Sequence, residues 1–482
     1  MYSNDETFDD YKARLEYEAL LEGVPLPDDF FEKFDIYDYS DETDESYEAD
    51  NGYNEDYEQD FRDGEFIFAK GVSRSLDDRI TRLNNNVLVV GASGCGKSTG
   101  FVEPNLVTAK GSYVISDPKG TLYRKYANYL HSKGYDVLKI DFQNPENSMR
   151  WNPLTEIQST QDIMKIANSL VYDKVVNSYN FDPFWDRMTL IFICAIIGYM
   201  YETGYKPYNF SSILQLVREG ERKEEIINKG RNSRASELFK RFQKLHEMNP
   251  NSWAYEQFKS VDQAPDKTYD TIRSTLVSKF SNYNTEEIEK MMLGNDCDFK
   301  KIAQKKTALF VQQSDYDRSM DGLVNLFFSQ AMSALVKYAD LCENGRLPVP
   351  VRFFLDDYGA TTNIYNLDAV ISTIRSRNIS VSLILQSESQ LMKNSARTDK
   401  TIISNCDTYI YMGSNDIETA KSVSIRCNKP LENVLYMPIS HCWVFTRGKK
   451  PVYAEISDRP ILKEYDLIYS SPEILADEFS VI

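Results

Sequence analysis

The sequence predicts an α/β fold, a mainly parallel sheet covered by helices and interrupted by an all-α insertion, preceded by a disordered acidic tail. Three observations predict it. Short apolar, β-branched runs alternate with helical periodicities on both sides of a strand-free middle. One of those runs, Val87–Val90, opens into a glycine-rich loop of the form G-x-x-x-x-G-K-S. The charge is also segregated: residues 1–64 carry 23 Asp and Glu against 4 Lys and Arg, while the rest of the 482-residue chain holds 50 acids and 51 bases.

In the tail, like charges repel and little aliphatic surface is available for burial, so Asp35–Asp63 is expected to be disordered, with residues 8–22 fitting one amphipathic helix. Because the body is close to neutral, the low overall pI does not exclude a nucleic-acid partner. From residue 65 the composition becomes globular. Val87–Val90 is a strand, followed by the loop and a helix broken near Pro104. Ser112–Ser116 is a second strand, Leu122–Lys133 a helix closed by Gly134, and Asp136–Phe142 a third strand. Between 183 and 300 the pattern is helical throughout, with stretches at Val217–Lys229, Ser236–Glu247 and Thr285–Met292. Strands resume at Thr307–Gln312, Val351–Leu355, Ile379–Leu385, Thr408–Met412 and Cys442–Thr446, separated by helices at Met320–Cys342 and Asn366–Arg377. The expected units are therefore a tail at 1–64, a nucleotide-binding domain in two parts at 65–182 and 301–470, an all-α domain at 183–300, and a C-terminal tail at 471–482.

Seven scattered cysteines with no C-x-x-C spacing, and only 3 histidines, give no legible zinc site and point to reduced thiols. No basic-then-apolar leader is present at the N-terminus. The most apolar run, Met188–Met200, is shorter than the roughly 20 residues that span a bilayer, so it is expected to be a buried helix. These features predict a cytoplasmic protein with no transmembrane segment.

The loop comprises Gly91, Ala92, Ser93, Gly94, Cys95, Gly96, Lys97, Ser98 and Thr99. Such a loop turns successive backbone N–H groups toward a di- or triphosphate, with Lys97 reaching the β/γ-phosphates and the Ser98 hydroxyl on Mg²⁺. Phosphoryl transfer to water also needs a carboxylate for the metal, a group to orient the water, and positive charge at the γ-phosphate. The strand Val351–Leu355 ends in Asp356 and Asp357, suited to the first two tasks, and Ile379–Leu385 ends at Gln386, placed to sense the γ-phosphate. Arg375 and Arg377 close the preceding helix, where they either pair with its dipole or reach a neighbouring subunit's nucleotide.

These pieces, in this order, resemble the TraG/TraD-type coupling proteins of conjugative type IV secretion, RecA-like P-loop NTPases related to the HerA/FtsK DNA pumps. The resemblance covers residues 80–450 and rests on G-A-S-G-C-G-K-S-T, F-V-E-P-N-L, S-D-P-K-G (116–120), W-N-P-L (151–154), D-P-F-W (182–185), L-D-D-Y (355–358), I-R-S-R-N-I-S (374–380), L-Q-S (385–387) and N-C-D-T (405–408). It implies that Lys97 and Ser98 bind phosphate and Mg²⁺, that Asp356 is the Walker B aspartate, and that Asp357 is the catalytic acid. It further implies that Gln386 senses the γ-phosphate, that Arg375 is a candidate arginine finger, and that the helical insertion engages DNA or relaxase.

Two departures stand out. The family usually has Glu where this chain has Asp357, which retracts the carboxylate by about 1.5 Å and predicts slow turnover. The family also usually begins with two transmembrane helices, where this chain has the acidic tail. The expected function is an ATP- and Mg²⁺-dependent, hexameric motor for conjugative DNA transfer, with DNA in the ring lumen and membrane contact only through a partner. The alternatives are a nucleotide-gated recruiting adaptor and a DNA-packaging ATPase.

Overall fold

The computed structural model describes residues 64–171, 183–227, 231–359, 364, 366–393 and 396–462. The predicted tail helix at 8–22 and the C-terminal tail lie outside these residues. In chain order the strands are β1 (Glu65–Ala69), β2 (Val72–Ser75), β3 (Val87–Val90), β4 (Ser112–Ser116), β5 (Asp136–Asp141), β6 (Lys223–Ile227), β7 (Arg231–Ala235), β8 (Thr307–Gln312), β9 (Val351–Leu355), β10 (Ile379–Leu385), β11 (Thr408–Tyr411), β12 (His441–Thr446) and β13 (Val452–Glu455).

Among the described residues one nine-stranded sheet carries the fold, in the order β13-β12-β11-β3-β10-β9-β4-β8-β5. The seven strands from β11 to β5 are parallel, and β12 and β13 add an antiparallel edge. Parallel strands covered on both faces read as unbroken apolar runs. That is why V-L-V-V, V-R-F-F-L and I-S-V-S-L-I-L are buried at every position. Alternate residues still serve different faces. Leu88 and Val90 join the core that extends into the helical insertion, whereas Val87 and Val89 join Phe66, Phe101 and Phe354 on the other face.

The helix after the loop is not broken at Pro104. It opens as a π turn, Ser98–Val102, in which the Glu103 N–H reaches the Ser98 carbonyl, and continues as α1 (Glu103–Val107). Pro104 sits in the first turn of α1, directly after the π turn. Helix α2 (Thr121–Ser132) follows β4, and Gly134 at φ +80° closes the turn after it.

The insertion is built on α4 (Pro183–Thr203), which follows α3 (Thr160–Val171). Around it pack α5 (Phe210–Glu219), α6 (Glu237–Met248), α7 (Trp253–Asp262) and α8 (Asp266–Phe280). Helix α4 is the one helix among the described residues with the length and apolarity to cross a bilayer. Here it is a core helix, with Ile193, Ile196, Ile197 and Met200 fully buried. Trp151 and Asn152 of W-N-P-L join insertion to sheet: the indole is buried against Phe142 and Phe327, and Asn152 Nδ2 donates to the Tyr208 and Met292 carbonyls.

The insertion is not all-α. The helix expected at Val217–Lys229 stops at Glu219, where the Gly220 N–H donates to the Val217 carbonyl, and an antiparallel hairpin of β6 and β7 follows. Glycines at 220 and 230 weaken a helix there, and the charged pattern between them carried no strand signal. The helix expected at Asn366–Arg377 is likewise short: it is a single helical stretch, Leu367–Ile371, then a separate 3₁₀ turn at Arg375–Arg377.

After β13 the chain returns as a strap across the helix that follows the loop. Ile456 Cγ2 lies 2.1 Å from where a Cβ on Gly100 would sit, so only glycine fits beneath it. Arg459 donates to both oxygens of the buried Glu103, at 2.9 and 3.0 Å, and Lys125 and Tyr126 donate to the same carboxylate. Burial alone would raise the Glu103 carboxyl, but these three donors hold it below the usual value. A depressed folded pKa gives stability that is present above the unfolded value of about 4.3 and is lost as pH falls through the folded one. Glu103→Gln is therefore expected to lower stability by about 1–3 kcal/mol at pH 7. In denaturant titrations the deficit should shrink below about pH 4, and a deficit independent of pH would contradict the ionic role.

Candidate functional site

Register brings the site together. β3 pairs with β10 so that Val90 lies level with Leu385, and with β11 so that Val90 also lies level with Tyr411. On the far side of β10, Leu355 of β9 lies level with Leu383. The residues that follow, Gly91, Gln386 and the Asp356–Asp357 pair, therefore emerge at one edge of the sheet. This is the carboxyl edge of the parallel strands, beyond which open α/β sheets bind ligands.

The phosphate loop is pinned to both neighbouring strands. The Gly91 N–H donates to the Leu385 carbonyl at 3.0 Å, and the Ala92 N–H to the Gly413 carbonyl at 2.7 Å. Gly94 and Gly96 adopt φ +79° and +93°, a region open to glycine. Ser93 and Gly94 are exposed, while Lys97 is buried with its Nζ donating to the Gly91 and Ala92 carbonyls at 2.7 and 2.9 Å. Thr99 Oγ1 donates to the Gly96 carbonyl. Cys95 turns inward, with Sγ 2.5 Å from where a Cβ on Gly91 would sit, and burial raises its thiol pKa.

The carboxylates stand opposite. Ser98 Oγ donates to Asp356 Oδ2 at 2.7 Å, crossing above β10 to join the loop after β3 to the end of β9. The other Asp356 oxygen accepts from the Asp357 N–H at 3.0 Å. Desolvation pushes the Asp356 carboxyl above its ordinary value; the Ser98 hydroxyl opposes this, and the Asp357 carboxylate adds to it. Gln386 Nε2 donates to Asp357 Oδ1 at 3.2 Å, so loop, acids and glutamine form one hydrogen-bonded series. Asp357 itself has φ +50°, a left-handed conformation that costs free energy in a non-glycine residue and recurs at functional sites.

Arg375 is not part of this group. It lies before the first residue of β10, at the opposite edge of the sheet from Gln386, about 20 Å away at the strand rise. There its guanidinium meets Asp78, with Nη2 donating to the Asp78 carbonyl and Nε 3.6 Å from the carboxylate. Arg377 pairs with Asp340.

Sequence reasoning missed the polar floor under Asp356. Ser116, the last residue of β4, donates from Oγ to the Asp356 carbonyl at 3.4 Å and accepts from Gln313 Nε2 at 3.1 Å. Both residues are buried. In S-D-P-K-G, Asp117 accepts the Tyr123 N–H at 2.8 Å and so fixes the start of α2, while burial raises its carboxyl. The signal available was a polar residue ending an otherwise apolar strand.

A parallel sheet with this loop at the end of an interior strand, and acids at the end of a strand two places away, defines a RecA-like P-loop fold. The chain belongs to the family described as Type IV secretory system Conjugative DNA transfer, whose model matches residues 46–429. It is 23% identical over 347 residues to the protein VirD4 of Rhizobium rhizogenes, covering 70% of this chain and 48% of that protein. It is 22% identical over 357 residues to the conjugal transfer protein TraG of Escherichia coli, covering 70% of this chain and 54% of that one. The chain thus spans about half the length of these curated relatives. Its fold is similar to that of the bacterial conjugative coupling protein TrwB lacking 70 N-terminal residues, with TM-score 0.59 at 15% identity, covering 78% of this chain and 86% of that one. TrwB bound to the non-hydrolysable ATP analogue ADPNP gives TM-score 0.58 at 14% identity, with the same coverage.

The strain at Asp357 has a measurable consequence. Asp357→Gly is expected to raise stability toward denaturant by up to about 1 kcal/mol, because glycine adopts positive φ freely. A loss of stability would mean that the Asp357 contacts outweigh its backbone strain.

Proposed function

We propose that the chain is an ATP-binding and hydrolysing coupling protein, a DNA-translocase-like motor for conjugative transfer through a type IV secretion-like system. The observation that carries this reading is the series Ser98–Asp356–Asp357–Gln386 facing the phosphate loop. Nucleotide as ligand is supported by the TrwB structures with an ATP analogue and with ADP and Mg²⁺. The Ser98 hydroxyl and Asp356 carboxylate suit Mg²⁺, which takes one or two protein oxygens and fills its other positions with phosphate and water. When bound, the ion would neutralise phosphate charge and offset the upward shift of the Asp356 carboxyl.

Each residue then has one task. Lys97 exchanges its two loop carbonyls for β/γ-phosphate oxygens. Ser98 and Asp356 would hold Mg²⁺. Asp357 accepts a hydrogen bond from the attacking water, and Gln386 holds the Asp357 carboxylate while remaining within reach of the γ-phosphate. Arg375 would serve only a neighbouring subunit's site, in a hexameric ring whose lumen takes DNA and whose partners include relaxase. The ring would work in the cytoplasm, drawn to the membrane by another protein.

A second reading, a nucleotide-gated adaptor with little turnover, is favoured by the short Asp357 side chain. Hydrolysis of ATP measured with and without single- or double-stranded DNA separates the two. The motor predicts DNA-stimulated turnover, lost by about 100-fold or more in Lys97→Ala, and faster turnover in Asp357→Glu. Binding without turnover, unrelieved by Asp357→Glu, would establish the adaptor.

A further inference from the structure

The acids and the glutamine proposed to face the γ-phosphate come from one side of β3. Asp356 and Asp357 follow β9, and Gln386 follows β10. The sheet order places β11, β12 and β13 on the other side. From that side comes the strap, which passes beside the residues flanking Thr99: Ile456 Cγ2 is 3.9 Å from a Cβ built on Gly96 and 2.1 Å from one on Gly100, and the Ser457 carbonyl is 3.3 Å from the latter. It then runs along the helix to Arg459, fastened to Glu103. A nucleotide whose γ-phosphate faces β9 and β10 must carry its nucleoside away from them, toward the strap.

We infer that the strap Ile456–Ile461 is the wall against which the nucleoside of the bound nucleotide rests, the base lying on the Arg459 guanidinium and Ile461. The inference rests on the nucleotide-binding reading above and deepens it. The strap's chemistry suits a planar base. The Arg459 side chain commits one edge to Glu103 yet is 58% exposed, which leaves a guanidinium face for stacking. Ile461 is 94% exposed, an apolar side chain without cover on the described surface. The Ser457 hydroxyl is buried with no hydrogen-bond partner among the described residues, and the Ser457 carbonyl lies against Gly100. Asp458, which would repel phosphate, pairs with Lys70 at 3.3 Å.

The test compares two ligands by isothermal titration calorimetry in the presence of Mg²⁺: a non-hydrolysable ATP analogue, and inorganic tripolyphosphate, which lacks the nucleoside. Arg459→Ala and Ile461→Ser are each expected to weaken the ATP analogue by about five-fold or more and to leave tripolyphosphate unchanged. Ile461 is a surface residue, so its variant keeps the test valid if Arg459→Ala disturbs folding. Equal losses for both ligands would overturn the inference, making the strap a prop for the loop. So would undiminished ATP-analogue binding in both variants. A wild-type chain that binds neither ligand would overturn the nucleotide reading itself, and this inference with it.

Discussion

The site depends on one hydrogen bond, from the Ser98 hydroxyl to the Asp356 carboxylate. It joins two segments 258 residues apart in sequence, across a strand that belongs to neither. It exists because β3, β10 and β9 share a register that ends them almost level. A one-residue slip of β9 would turn Asp356 to the opposite face of the sheet. The buried apolar runs that fix this register thus have a functional consequence as well as a stabilising one. Each fully buried Leu, Ile, Val or Phe contributes about 1.5–3 kcal/mol, and side chains on both faces of these strands resist slippage.

The central strands were legible for the same reason. β8, β9 and β10 were expected at the limits observed, because a strand covered on both faces is an uninterrupted apolar run. The edges were not. β2 reads V-S-R-S and β13 reads V-Y-A-E, patterns that suit a half-exposed strand and equally a loop, and β6 with β7 lay in a charged stretch. A proline lacks an N–H and so suggests a break at Pro104, but the helix runs on into it from the π turn.

The catalytic candidates on strand ends were found because an acid or amide after an apolar run is conspicuous. Ser116 and Gln313 were not, since Ser116 acts through the Asp356 main chain and Gln313 through the Ser116 hydroxyl. Arg375 had a motif position but precedes β10 where Gln386 follows it, so the two lie at opposite ends of that strand, as their order in the sequence already indicates.

The account is tested most directly by asking whether Ser98 and Asp356 act as one unit. Affinity for a non-hydrolysable ATP analogue would be measured with and without Mg²⁺ in the wild type, Ser98→Ala, Asp356→Asn and the double variant. If the pair holds the metal, each single variant loses most of the Mg²⁺-dependent gain in affinity, and the double variant is little worse than either. Additive losses, or a Mg²⁺ effect that survives in the double variant, would contradict it.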